Sequence, residues 1–81
     1  MARVHLSGEF RRLAGGLTVV EVDADTVAEL VDALSDRFPD LGRRLDEGMA
    51  VALDGEVVPN ADYEPVTTDS EVHFLPSIGG G

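Results

Sequence analysis

The amino-acid sequence predicts an α+β domain, a mixed sheet of about five strands with one main helix across one face. Three observations predict it. Short β-branched and apolar runs, several with period-two alternation, occur at five places along the 81 residues. One longer run, Thr26 to Phe38, carries its apolar residues at helical spacing instead. The order is strand, strand, helix, strand, strand, strand, with turn-forming residues between the runs.

The first strand is Arg3-Val4-His5-Leu6-Ser7, with Val4 and Leu6 facing inward and His5 outward. Gly8 to Gly16 follows as a structured connection, because Phe10, Leu13 and Ala14 are spaced as one amphipathic helical turn and Gly15-Gly16 supplies a reversal. Leu17 to Val22 is the second strand, with Val20 and Val22 inward, and it forms a hairpin with the first.

Thr26-Val27-Ala28-Glu29 is a capping-box pattern, in which a hydroxyl and a carboxylate satisfy the free backbone donors of a helix start. From Val27, apolar residues recur at offsets of three, four, seven and eleven, at Leu30, Val31, Leu34 and Phe38, leaving Asp32, Ser35 and Asp36 to water. Pro39 ends the helix at about Phe38, since it disfavours the α conformation in the residue before it. Asp40 to Leu45 is expected to add a short turn.

Met49 to Leu53 is the third strand, and Asp54-Gly55 before Glu56-Val57-Val58 signals a tight hairpin to the fourth, which Pro59 ends early or confines to an edge. After a polar connection, Glu71 to Leu75 is the fifth strand, with Val72 and Phe74 inward. The helix acts as a crossover, so a right-handed connection sets a later strand parallel to the first. This is a β-grasp architecture, expected to occupy residues 1–75, with 76–81 as a flexible C-terminal tail.

Composition narrows the function. The chain is one domain, and 43% hydrophobic residues suffice for a packed core. Without cysteine it offers no disulfide, thiolate metal site or thiol nucleophile. Sixteen acidic residues against six basic ones give a net charge of −10, which opposes nucleic acid and anionic lipid as partners. All six basic residues are arginine, so the N-terminal amine is the one amine nucleophile. No apolar leader or membrane-spanning run is present, so a cytoplasmic location is expected.

No Ser–His–Asp set, phosphate loop or carboxylate dyad is legible, and no catalytic residue of its own is assigned. His5 and His73 become neighbours if the first and fifth strands pair in parallel, a geometry open to metal binding or pH sensing. With no third ligand evident they read as an exposed polar pair, and no metal is assigned. Arg11-Arg12 and Arg43-Arg44 are the basic clusters, read as solvated connection residues or anchors for acidic partner groups.

The ending Phe74-Leu75-Pro76-Ser77-Ile78-Gly79-Gly80-Gly81 resembles that of the MoaD/ThiS family of ubiquitin-like sulfur carriers: a hydrophobic strand, a proline, a small residue, a branched aliphatic, a small residue and Gly-Gly. Phe10 to Gly15, the Thr26 to Phe38 helix and Leu53-Asp54-Gly55-Glu56-Val57 are similar to the family's first connection, helix and hairpin, so the resemblance spans essentially the whole chain. Leu75 to Gly81 resembles the CysO-type ending slightly more than the Pro-Pro-Val-Ser-Gly-Gly type common in molybdopterin synthase.

The resemblance implies that an adenylating enzyme of the ubiquitin-activating type uses ATP to activate the Gly81 carboxylate, and that a sulfur donor converts the adenylate to a thiocarboxylate. Gly81 is then the attachment point. Gly80, Gly79, Ile78 and Pro76 thread the tail and dock it, Pro76 by ending sheet pairing and aiming the chain. The acceptor is a synthase, either the molybdopterin synthase large subunit or an enzyme like cysteine or thiazole synthase. The chain itself binds no cofactor. Two alternatives stay open: a ubiquitin-like protein modifier, and a β-grasp interaction module with an inert tail.

Overall fold

In the computed structural model, residues 1–58 and 61–76 are described. Strands β1 (Ala2–His5), β2 (Val19–Val22), β3 (Met49–Leu53), β4 (Glu56–Val58) and β5 (Glu71–Pro76) form one sheet in the order β2-β1-β5-β3-β4. The β1–β5 pair at its centre is parallel and the other three pairs are antiparallel. This is the mixed β-grasp sheet expected from the crossover argument.

Alternation sorts the side chains as expected. Val4, Val20, Val22, Val51, Val72 and Phe74 are buried on one face of the sheet, where helix α2 (Val27–Arg37) packs Val27, Leu30 and Leu34 over them. Each such side chain contributes about 1.5–3 kcal/mol by leaving water. The connection after β1 forms helix α1 (Glu9–Leu13), which adds Phe10 to the core with Ala14 just beyond it. Gly15 and Gly16 then reverse the chain with φ of 69° and 90°, a region that a side chain disfavours.

Helix α2 starts at the expected cap. The Thr26 hydroxyl accepts from the Glu29 amide at 3.2 Å, and the Glu29 carboxylate accepts from the Asp25 amide at 3.2 Å. Phe38 closes α2, its amide donating to the Leu34 carbonyl at 2.7 Å.

Two expectations about this region are corrected. Pro39 is both the stop after α2 and the first residue of a further helix, α3 (Pro39–Asp46), where its fixed φ and missing donor suit a first turn. In place of a short turn, α3 buries Leu41, Gly42 and Leu45 and packs against α2, which remains the main helix across the sheet. Ser35, expected in water, is only half-exposed, because α3 brings Gly42 against it.

The β3–β4 turn has Asp54 at φ 50° and Gly55 at φ 89°, the doubly left-handed geometry that lets a two-residue loop follow strand twist. Asp54 also ties this turn to β5: its carboxylate accepts from the Glu71 amide at 2.9 Å, and its amide donates to the Glu71 carbonyl at 2.9 Å. No helix among the described residues is long and apolar enough to cross a membrane.

Candidate functional site

Among the described residues no helix packs on the second face of the sheet. Strand register lines up one row of outward residues across all five strands: Val57, Ala52, His73, His5 and Val19. Arg3 and Glu71 face one another in the next row on one side, and Ala50 and Leu75 in the next row on the other. The Leu75 side of this face lies towards Pro76, where the described part of β5 ends.

His5 and His73 are direct partners in the parallel pair, and their rings stack with centroids 4.5 Å apart and planes 7° from parallel. The sequence-based expectation that they adjoin is met. Glu71 completes the cluster: its carboxylate contacts His5 Nε2 and, at 3.1 Å, the Arg3 guanidinium. His5 and Glu71 are about one-third exposed, so solvent screens the cluster and it orders side chains more than it stabilises the fold. Among the described residues no group of three His, Cys, Asp or Glu side chains is arranged to hold a metal ion.

The face also exposes apolar surface. Val57, Val19 and Leu75 are 61%, 41% and 40% exposed, around the small side chains of Ala50 and Ala52. The sequence reading did not single out these residues or Glu71, although period-two alternation puts each opposite an inward-facing neighbour. The Arg43-Arg44 cluster divides its side chains between different partners. Arg44 bonds Glu9 at 2.9 Å and Glu47 at 3.4 Å, joining α1 to α3, and Arg43 pairs with Asp40. Arg44 is thus a structural residue.

Of the tail, Pro76 lies within the described residues. It is the last residue of β5 and sits opposite Met49, so pairing runs one residue further than the strand read from the sequence. Ile78, Gly79, Gly80 and Gly81, the residues assigned to docking, threading and covalent attachment, lie outside the described residues, as does Pro59.

The ThiS family profile matches residues 4–81. Among solved structures, a chain of the Amycolatopsis orientalis BexX/CysO complex superposes with a TM-score of 0.82 at 24% identity, all of both chains being covered. CysO of Mycobacterium tuberculosis superposes with a TM-score of 0.84 at 16% identity, over 96% of this chain and all of its own. SAMP1 of Haloferax volcanii gives 0.70 at 28% identity, over 99% of this chain and 98% of its own. No curated protein matches in sequence.

Proposed function

Because this chain belongs to the ThiS family, we propose that it is a sulfur carrier acting through the carboxylate of Gly81. The observation that carries this reading is the extent of the family match, which runs from β1 through the tail to residue 81 and so includes the terminal Gly80-Gly81. Absence of cysteine adds to it, since the chain has no thiol on which to carry sulfur.

A carboxylate is a poor acyl donor, so activation comes first. In the proposed sequence a Gly81 oxygen bonds to the α-phosphorus of ATP and pyrophosphate leaves. Hydrosulfide then attacks the acyl carbon, a C–S bond forms, and AMP departs with the electrons of the broken C–O bond. An adenylating enzyme of the ubiquitin-activating type catalyses these steps, and a sulfur donor supplies the sulfide. The chain contributes the carboxylate, the glycines that let it approach ATP closely, and the domain that is recognised. Pro76 aims the tail, Gly79 and Gly80 thread it, and Ile78 anchors it. The acceptor is a synthase that makes a sulfur-containing metabolite, of the molybdopterin, cysteine or thiazole type.

Intact-mass measurement after incubation with ATP, sulfide and the host's adenylating enzyme tests the reading. A thiocarboxylate adds about 16 Da to the acid. Unmodified acid, with no ATP-dependent pyrophosphate release, contradicts it.

A second reading, conjugation to other proteins, is favoured by the 28% identity to SAMP1 of Haloferax volcanii, described as a small archaeal modifier protein. High-mass adducts that survive denaturation distinguish it.

A further inference from the structure

A groove of about 640 Å³ opens between α2, the end of α3 and the β3–β4 hairpin, meeting the border of the histidine face at Ala50 and Val57. Its floor is apolar: Val31, Met49 and Val58 line it, and each is packed against the core yet left partly uncovered. Its rim is acidic. Asp32 of α2, Asp46 at the end of α3 and Asp62 of the single 3-10 turn Ala61–Tyr63 line the groove, and all three are exposed.

Glu9, Asp40, Glu47 and Glu71 each contact an arginine, whereas Asp32, Asp46 and Asp62 have no cationic partner among the described residues. No basic residue lines the groove. Asp46 sits where the carbonyl end of α3 already carries partial negative charge, an unfavourable place for a carboxylate. Tyr63, beside Asp62, is 89% exposed, an amphipathic side chain of the kind enriched at binding hot spots.

We propose that this groove docks a basic, aliphatic segment of a partner protein, its aliphatic side chains covering Val31, Met49 and Val58 and its arginines or lysines meeting Asp32, Asp46 and Asp62. Charge complementarity selects this occupant. The chain's own Ser77-Ile78-Gly79-Gly80-Gly81 is a poor fit, because it contains no basic residue to meet the aspartates. A second copy is opposed by a net charge of −10 on each molecule. The surface borders the open sheet face through Ala50 and Val57 but is centred on α2 and α3, and it does not depend on the chemistry of Gly81.

The test is an amide-shift titration of the full-length ¹⁵N-labelled chain with a short capped peptide alternating leucine and arginine, and with its leucine–glutamate counterpart. Perturbations from the arginine peptide are expected to cluster at Val31, Asp32, Met49 and Val58, with none from the glutamate peptide. The triple variant Asp32→Asn, Asp46→Asn, Asp62→Asn is expected to bind about tenfold or more weakly. The charge-matched control Glu21→Gln, Asp23→Asn, Asp25→Asn is expected to lose less than about threefold, with dispersed spectra showing both variants folded. Equal losses in both variants, perturbations spread over the surface or centred on His73 and Leu75, or the same amides moving on simple dilution would each overturn the proposal. The last outcome would assign the groove to a second copy.

Discussion

Gly42 of α3 lies against Ser35 of α2 so closely that a Cβ built on Gly42 would stand 2.2 Å from Ser35 Oγ and 2.8 Å from Ser35 Cα. Two effects of Gly42→Ala therefore oppose one another. Alanine favours a helix interior over glycine by about 1 kcal/mol. The overlap is larger, because it reaches backbone that cannot rotate away, and overpacking of this kind costs about 1–3 kcal/mol. Gly42→Ala is expected to destabilise the fold. Adding Ser35→Gly removes the Oγ clash but not the Cα one, so denaturant unfolding of the double variant should show partial rescue.

Gly55→Ala tests a different cause. A Cβ there meets nothing within 4 Å, so crowding plays no part, but φ is 89°. The left-handed backbone alone should cost about 1–2 kcal/mol. Gly55→Asn, a residue that accepts such turns, should recover part of it. Equal losses for the two variants would contradict the backbone account.

Thr26→Ala removes the hydroxyl that accepts from the Glu29 amide. Loss of about 1 kcal/mol is expected, with the effect on amide exchange concentrated in the first turn of α2. Thr26→Ser should retain most of the stability, since the cap needs the oxygen and not the methyl.

Under the carrier reading the tail responds in grades. Gly79→Ala should leave ATP–pyrophosphate exchange near wild type, because Gly79 takes the position where the family places serine or alanine. Gly80→Ala should impair exchange, and one residue appended after Gly81 should abolish it. Ile78→Asp should raise KM if Ile78 anchors the tail. A fully active chain with an uncleaved C-terminal tag would contradict the assignment of Gly81.

Much of the fold was legible because short-range rules agreed with each other. Alternation placed Val4, Val20, Val72 and Phe74 inward, the capping box placed the start of α2, and Asp54-Gly55 placed the hairpin. Helix α3 was not, because Pro39 signals both the end of one helix and the start of another, and Gly42 weakens the helical pattern that follows. Its burial depends on a close approach to Ser35 that exists only once α2 and α3 are packed. Adjacency of His5 and His73 followed from the parallel pairing, but the part played by Glu71 required its side-chain direction. The acidic groove was illegible for the same reason: its three aspartates come from three elements, and no local pattern joins them.

The parallel pairing of β1 with β5 has a consequence for the chain's reactivity towards itself. Arg3 lies opposite Glu71, so Met1 projects at the level of Asp69, seven residues before Pro76 along the same direction. Seven residues at strand rise span about 23 Å, whereas five residues of fully extended chain reach about 17 Å at most. Under the carrier reading an acyl group at Gly81 falls short of an amine at Met1, and the sequence contains no lysine. On that reading strand direction works against cyclisation and leaves an activated Gly81 to sulfide, water or another molecule.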